Sequence, residues 1–199
     1  MKIVIATCVR PDLRVSVETA QWVLQTLRGF LEPGVRGDSL TWDCAPGTYI
    51  DAQRNWLVEC HRDADALLFL DSDVAPPWHA LASLLAMDVP VAVAPCPIWL
   101  DGERRWNVTG SETDEYLPFV SSAEPKAFRI RRGGTGCMLI RKEVFNELPW
   151  PWFKTVIRHA TRADPHLLEM TDDEWFCDRC REAGFAIWAE PRAACRHPV

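Results

Sequence analysis

Two aspartates stand one residue apart after a short apolar run, in the segment Ala66-Leu67-Leu68-Phe69-Leu70-Asp71-Ser72-Asp73. An apolar run this short, ended by charge and then by prolines, is typical of a buried strand in a parallel sheet. The aspartates would then follow the carboxyl end of that strand, where open α/β sheets bind their ligands. Side chains at i and i+2 of a strand point the same way, so both carboxylates could converge on one cation. Oxygen ligands of this kind suit Mg²⁺ or Mn²⁺ holding the phosphates of a substrate. The simpler alternative is a pair of solvated aspartates in a turn.

Four more groups have residue types that serve in phosphate or sugar chemistry. Arg54-Asn55 precedes the apolar run, and its arginine either reaches a diphosphate or forms a salt bridge on an exposed helix. The glycines of Gly133-Gly134-Thr135-Gly136 permit close approach of the backbone to a ligand. The acidic run Asp172-Asp173-Glu174 either caps a helix or supplies a general base. His197 is either solvated or a ligand for a transition metal such as Mn²⁺.

A zinc site is an alternative use of the same C-terminal region. Cys177, Cys180, Cys195 and His197 form a four-ligand pattern. Against it, the first two cysteines fall inside an amphipathic helix, without the Gly or Pro turn that usually carries such a pair. This alternative describes a non-catalytic interaction domain.

Composition limits the classes of partner. The chain has 199 residues and a net charge of −6, which predicts one domain without the global basic field that would attract nucleic acid. Two local basic clusters, Arg104-Arg105 and Arg129-x-Arg131-Arg132, belong to a solvated face, an anionic-acceptor site or a contact for nucleic acid phosphates. No apolar window reaches the roughly 18 residues of a membrane span. With no apparent export signal, we expect the eight cysteines to be reduced in a cytoplasmic protein.

Apolar strands alternate with amphipathic helices through the first half of the chain. Strands are predicted at residues 2–7, 39–44, 66–70 and 89–94, and helices at 13–30, 49–62 and 77–87. This alternation predicts a parallel, doubly wound, Rossmann-like α/β sheet flanked by helices. Residues 95–124 and 150–165 break the pattern and are predicted to be functional loops. Further strands are predicted at 128–132, 136–140 and 185–189, and helices at 141–148 and 172–183.

In this order the motifs resemble the GT-A fold glycosyltransferases, particularly the large family 2 group. The resemblance covers about residues 2–197, and the matching segments are Ala52-Gln53-Arg54-Asn55, Leu68-Phe69-Leu70-Asp71-Ser72-Asp73, Gly134-Thr135-Gly136-Cys137-Met138-Leu139-Ile140, Pro151-Trp152-Phe153, Asp172-Asp173-x-x-Phe176-Cys177, Ala183-Gly184-Phe185 and His197. The resemblance implies a single GT-A domain. Residues 1–94 would bind the nucleotide sugar, and residues 95–199 would bind the acceptor and carry out catalysis.

The resemblance also implies roles for single residues. Asp73 matches the main metal-ligating aspartate, Asp71 its partner on the metal or the ribose, and His197 the C-terminal metal ligand. Asp173 matches the catalytic base, and Asp172 occupies the place usually held by Glu, so either of them or Glu174 could face the acceptor. The remaining nucleotide-side positions are Thr7, Arg10, Asp43, Arg54 and Gly136.

The implied reaction is transfer of a sugar from a nucleoside diphosphate sugar, with uridine the favoured base, to an acceptor hydroxyl. The metal would be Mn²⁺ or Mg²⁺, and the anomeric centre would be inverted. The acceptor would be a saccharide, a small molecule or a protein, with Trp99, Trp106 and Trp152 available for stacking on it. A sugar nucleotidyltransferase is the other enzymatic alternative, although such enzymes normally carry a glycine-rich loop after the first strand. Residues 8–14 here contain no glycine.

Overall fold

Apolar strands and amphipathic helices account for most of the chain in the computed structural model, which describes residues 1–12, 14–30, 39–119, 126–157 and 168–196. The strands are β1 Lys2–Val9, β2 Ser39–Pro46, β3 Ala66–Leu70, β4 Val91–Val93, β5 Pro97–Leu100, β6 Glu103–Thr109, β7 Tyr116–Pro118, β8 Phe128–Ile130, β9 Cys137–Arg141, β10 Val156–Ile157, β11 Leu168–Met170 and β12 Ile187–Ala189. The helices are α1 Val17–Phe30, α2 Ile50–Cys60, α3 Ala80–Ala86, α4 Lys142–Glu147 and α5 Asp172–Glu182, with a short 3₁₀ helix at Pro191–Ala193.

The described residues form a seven-stranded central sheet in the order β2-β1-β3-β9-β4-β12-β8. Five of these strands run parallel to one another, whereas β8 and β9 run antiparallel to their neighbours. Helices flank the sheet in a single domain. The predicted α/β architecture with a mostly parallel sheet is therefore confirmed.

Each face of the sheet buries its own core, because alternate residues of a strand point to opposite faces. On β1, Val4 and Ala6 pack toward α2, α4 and α5. Ile3 and Ile5 pack toward α1 and α3. No helix in the described ranges is both long and apolar enough to cross a membrane.

The segment predicted as a long irregular loop after β4 contains regular structure. β5, β6 and β7 form an antiparallel sheet of three strands. Its first turn is made by Asp101 and Gly102, both with positive φ. The prediction was wrong because Glu103, Arg104 and Arg105 are consecutive charged residues of β6, without the alternation of apolar and polar residues that indicates a strand. Such a strand occurs here because the sheet is small and faces solvent. Residues 120–124 lie outside the described part of the chain.

The second predicted loop is hydrogen bonded to α2 near its start. The side-chain amide of Asn55 donates to Phe153 O at 2.7 Å, and its oxygen accepts from Trp152 N at 2.9 Å and Phe153 N at 3.2 Å. Trp152 is 2% exposed, and its indole N–H donates to Phe145 O at 3.0 Å and Leu148 O at 3.1 Å. The ring of Trp152 therefore belongs to the core and presents no face to an acceptor. Residues 158–165 of this predicted loop lie outside the described residues.

Truncation of Trp152 should destabilise the protein strongly, because it removes a buried ring and orphans the carbonyl groups that it satisfies. We expect Trp152→Ala to lower the free energy of unfolding by about 3–5 kcal/mol. Urea unfolding measures this change. The matched control is Trp99→Ala, since Trp99 is 68% exposed, and it should change stability by about 0.5 kcal/mol or less. Equal effects of the two substitutions would contradict the assignment of Trp152 to the core.

Candidate active site at the carboxyl end of the sheet

Asp71 follows β3 at the carboxyl edge of the central sheet. The neighbouring strand β9 starts beside it, with Leu70 opposite Cys137 in the register. The amide of Asp71 donates to Gly136 O at 3.0 Å. The backbone of the glycine segment therefore fixes where Asp71 leaves the sheet.

Two cavities open at this edge, and Asp71 lines both of them. The first, here called the glycine-side cavity, measures about 230 Å³. Its lining includes Asp71, Asn107, Tyr116, Arg132, Gly136, Asp173 and Glu174. The second, here called the strand-end cavity, measures about 280 Å³ and lies past the ends of β1, β2 and β3. Its lining includes Cys8, Arg10, Gly47, Gln53, Asp71 and Asp73. Asp71 thus stands where a ligand spanning both cavities would cross.

Arg54 is buried behind Asp71 instead of facing either cavity. Its side chain is 4% exposed, and its guanidinium pairs with Asp71 Oδ1 at 3.2 Å and with Asp172 Oδ2 in a short contact. Phe153 lies beneath it, with the guanidinium carbon 5.9 Å from the ring centroid. This position differs from the predicted diphosphate contact. Arg54 instead joins α2 to the end of β3 and the start of α5.

The sharing of one guanidinium between two carboxylates affects the pKa values of Arg54, Asp71 and Asp172. Burial would lower the pKa of Arg54, but Asp71 and Asp172 raise it above its ordinary value, so the guanidinium stays charged. Burial raises the pKa of Asp71, and so do the charges of Asp73 and Asp173, while Arg54 opposes the rise. Burial likewise raises the pKa of Asp172 against the effect of Arg54. Negative charge is therefore in excess around Asp71.

The acidic run at the start of α5 divides into two roles. Asp172 is 5% exposed and forms a salt bridge with Arg54. Asp173 and Glu174 line the glycine-side cavity, whereas Asp172 does not. Thr171 caps the helix in a capping box, in which Glu174 N donates to Thr171 Oγ1 at 3.4 Å and Thr171 N donates to Glu174 Oε2 at 3.0 Å. The cap fixes the first turn of α5 and so decides which carboxylate reaches the cavity.

The two aspartates after β3 have the chemistry of a Mg²⁺ or Mn²⁺ site. Asp73 is exposed and lines the strand-end cavity next to Asp71. In the described ranges no group of three or more His, Cys, Asp or Glu side chains is arranged to hold a metal. The carboxylates of Asp71 and Asp73 lie in a region of excess negative charge. They nevertheless suit a hard cation that takes its other ligands from phosphate oxygens and water.

The third predicted metal ligand, His197, lies outside the described residues. The residue before it, Arg196, pairs with Ala75 in an antiparallel bridge. Ala75 N donates to Arg196 O at 2.8 Å, and Arg196 N donates to Ala75 O at 2.9 Å. The described chain therefore ends beside the segment that carries Asp71 and Asp73.

The other nucleotide-side predictions fall in different surroundings. Arg10 is exposed and lines the strand-end cavity. Thr7 is buried, and its hydroxyl accepts a hydrogen bond from the indole of Trp42 at 3.0 Å. Asp43 pairs with His61 Nε2 at 2.8 Å. Neither Thr7 nor Asp43 is among the residues that line the two cavities.

Little space for a side chain is left at the glycines that give the glycine-side cavity its name. A Cβ atom on Gly136 would lie 3.5 Å from Asp71 Oδ2 and 3.3 Å from Cys96 Sγ. A Cβ atom on Gly134 would lie 2.5 Å from Asn107 Nδ2. Larger residues would therefore fill the space beside the Asp71 carboxylate.

The small sheet of β5, β6 and β7 supplies the part of the wall next to the glycines. It is joined to them by Gly134 N donating to Asn107 O at 2.9 Å and Thr109 N donating to Arg132 O at 2.9 Å. Asn107 and Tyr116 enter the cavity lining from this sheet. Neither residue was predicted from the sequence to belong to a site, because the segment was predicted to be irregular. The available signal was the short alternation of apolar and polar residues in Trp106-Asn107-Val108-Thr109.

The two remaining candidate tryptophans lie on the small sheet. Trp99 is exposed on β5, and Trp106 on β6 packs against Phe119 with ring centroids 4.4 Å apart. Neither lines the glycine-side cavity, although Pro97 and Ile98 next to Trp99 do.

Most arginines of the two basic clusters are neutralised. Arg105 pairs with Glu103 at 2.7 Å, Arg131 with Asp114 at 2.7 Å, and Arg132 with Asp178 at 2.5 Å. Arg104 lies over the ring of Phe119, 4.1 Å from its centroid. These pairs offset three of the five arginine charges in the two clusters, which reduces the positive charge available to nucleic acid phosphates.

The cysteines of the zinc alternative do not come together. Cys177 and Cys180 are buried in the core on the α5 face of the sheet. Cys195 is buried in the core on the opposite face. Because the sheet separates them, these three thiols cannot bind one zinc ion, and this alternative is wrong.

Comparisons with known proteins give a likeness of fold. No protein-family model matches the chain, and no curated protein matches it. Among solved structures, A197 from STIV is similar with a TM-score of 0.65 and 14% identity, covering 100% of this chain and 86% of that one. GalNAc-T7, solved with UDP, GalNAc and Mn²⁺, is similar with a TM-score of 0.58 and 12% identity, covering 99% of this chain and 43% of that one. The inositol-1-phosphate CTP transferase from T. maritima aligns with a TM-score of 0.46 and 11% identity. The first two likenesses concern the fold alone, and the second is consistent with the predicted GT-A type.

Removal of Arg54 should destabilise the protein, because it leaves Asp172 buried without its counter-ion. We expect Arg54→Met to lower the free energy of unfolding at neutral pH by about 3–5 kcal/mol. Loss of the guanidinium raises the pKa of Asp71 and Asp172 further above the ordinary value of 3.8. The folded variant then binds more protons than the unfolded chain at pH values above 3.8. Its free energy of unfolding therefore rises as the pH falls toward that value.

Urea unfolding at neutral and at mildly acidic pH measures this effect. The deficit of Arg54→Met relative to wild type should be largest at neutral pH and smaller in acid. Arg62→Met is the matched control, because Arg62 forms an exposed pair with Glu59, and it should cost about 1 kcal/mol or less. A deficit that does not depend on pH would contradict the charge argument.

Proposed function

We propose that this protein is a glycosyltransferase that moves a sugar from a nucleoside diphosphate sugar to an acceptor hydroxyl. The observation that carries the proposal is that Asp71 is shared by two cavities. One has Arg10 and Asp73 in its lining, and the other has Asp173. A donor lying across Asp71 would have its nucleotide in the strand-end cavity and its sugar in the glycine-side cavity, within reach of a carboxylate.

The donor side supports a nucleoside diphosphate. The strand-end cavity lies past the carboxyl ends of parallel strands, where α/β sheets bind nucleotides. Arg10 is an exposed cation in the lining of this cavity, suited to phosphate. Uridine remains the favoured base, which agrees with the UDP bound to the similarly folded GalNAc-T7.

Asp71 and Asp73, together with His197, would hold Mn²⁺ or Mg²⁺. When bound, the metal would act as a Lewis acid on the diphosphate and stabilise charge on the leaving group. Arg54 would serve this chemistry indirectly, since it fixes Asp71 Oδ1 and leaves Oδ2 beside Gly136.

Asp173 would act as the general base. The acceptor oxygen attacks the anomeric carbon, its proton passes to the Asp173 carboxylate, and the bond from the anomeric carbon to the diphosphate oxygen breaks. A single displacement of this kind inverts the anomeric centre. Asp172 would not share this role, because it is buried against Arg54.

The chain would divide by function near residue 94. Residues 1–94 contribute the strand-end cavity, and residues 95–199 contribute most of the glycine-side cavity and the base. The carboxylates of the glycine-side cavity favour an uncharged acceptor, such as a saccharide hydroxyl, over a polyanion. Trp99 and Trp106 remain the candidates for stacking on it.

Nucleotide binding should depend on a divalent metal and on Asp73. A nucleoside diphosphate at 100 times its Kd should stabilise the wild type by about 2.7 kcal/mol. Thermal unfolding with UDP, GDP, CDP, ADP and TDP, each with and without Mn²⁺, measures this. We expect a Mn²⁺-dependent shift with one nucleotide, UDP first among them, and its loss in Asp73→Ala.

The control is Glu147→Ala, which removes one exposed carboxylate on α4, away from the cavities. It should keep the nucleotide-dependent shift. If no nucleotide shifts the unfolding of wild type in the presence of Mn²⁺, the proposed donor site is wrong.

Substitution of Asp173 should lower turnover, whereas substitution of Asp172 should lower stability. UDP release from UDP-sugars, with water as acceptor, measures turnover without a known acceptor. Asp173→Asn should lower kcat by about 10²–10⁴-fold, the usual contribution of a general base, with little change in stability. Asp172→Asn should lower the free energy of unfolding by about 1–3 kcal/mol, because it removes a charged partner of buried Arg54. Full turnover by Asp173→Asn would contradict its assignment as the base.

A further inference from the structure

Thr171 makes a hydrogen bond that its role as a helix cap does not require. Its hydroxyl accepts from Glu174 N, which completes the capping box of α5. The same hydroxyl donates to Asp173 Oδ1 in a short hydrogen bond. A hydroxyl has one proton to donate and two lone pairs to accept with, so it can satisfy both bonds at once.

Within the described ranges, the hydrogen bonds that Asp173 accepts go to one of its two oxygens. Besides Thr171, the amide of Glu174 donates to Oδ1 at 2.9 Å. No side chain or amide in the described residues is hydrogen bonded to Oδ2. The carboxylate is therefore held in a fixed orientation by one oxygen, while the other stays available to a ligand in the glycine-side cavity, which Asp173 lines.

We infer that Thr171 is a positioning residue for the reaction. It orients Asp173 through Oδ1, so that Oδ2 accepts the proton of the attacking hydroxyl. Proton transfer needs the base within hydrogen-bond distance of that proton, and a carboxylate free to rotate would spend less time in this orientation. The inference rests on the proposed role of Asp173 as general base.

The competing explanation is that Thr171 only caps α5. Glycine separates the two roles, because Gly at an N-cap costs a helix little stability relative to Thr, but it has no hydroxyl. Serine keeps both the cap and the hydroxyl. The substitutions Thr171→Gly and Thr171→Ser therefore form a matched pair, and thermal unfolding reports whether the fold is retained in each.

The decisive experiment is a double-mutant cycle between Thr171→Gly and Asp173→Asn. It is read out as UDP release from UDP-sugars with Mn²⁺ and with water as acceptor. We expect Thr171→Gly to lower kcat about tenfold with an unchanged KM for the UDP-sugar, and Thr171→Ser to retain most of the wild-type kcat. In the Asp173→Asn background the glycine substitution should change kcat less than about twofold, because a residue that acts through Asp173 has nothing left to orient.

Other outcomes would overturn the inference in distinguishable ways. A kcat for Thr171→Gly close to wild type would overturn it, while the proposed function would stand. The same would follow if the loss were equally large in the Asp173→Asn background, since Thr171 would then act by another route. No release of nucleoside diphosphate by wild type from the UDP-, GDP-, CDP-, ADP- or TDP-sugars would overturn the proposed function and this inference together.

Discussion

The arrangement of the site depends on one buried cation, the guanidinium of Arg54. Its two carboxylate partners, Asp71 and Asp172, are 101 positions apart in the sequence (172 − 71). Burial of a guanidinium is unfavourable unless it is paired and hydrogen bonded, so the fold reaches a stable arrangement only when α2, the end of β3 and the start of α5 come together. The same ion pairs set the position of the Asp71 carboxylate between the two cavities.

The N-terminus of α5 shows how helix geometry separates neighbouring side chains of the same type. Successive residues of an α-helix point about 100° apart. Asp172 therefore faces inward to Arg54, and Asp173 faces the glycine-side cavity. The capping box of Thr171 and Glu174 fixes this rotation by defining where the helix begins. The acidic residues therefore do more than cap the helix: Asp172 forms a structural ion pair, and Asp173 forms part of the cavity wall.

Charge at the carboxyl edge of the sheet is unbalanced. The charges of Asp73 and Asp173 act on Asp71, and Arg54 offsets only part of this negative charge. The nearby Arg132 pairs with Asp178, Asp114 and Glu174, so it offsets the charge of these carboxylates and not that of Asp71. Such an edge favours a divalent cation and a ligand that brings no further net charge to the glycine-side cavity.

Most strands of the central sheet could be predicted from local sequence pattern, and so could the place of Asp71 and Asp73 after the carboxyl end of one of them. The strand at Ala66–Leu70 was predicted with its observed bounds, since five apolar residues ended by charge and proline leave few alternatives. The remaining features depend on tertiary contacts. The strands of residues 97–118 pair mainly with one another on the surface, so their pattern is weak in sequence. Whether Arg54 meets phosphate or carboxylate, whether Trp152 faces a ligand or the core, and whether Cys177 can reach Cys195 all depend on contacts between residues distant in sequence. Residue type and spacing do not encode such contacts, whereas burial and the opposite faces of the sheet settle them.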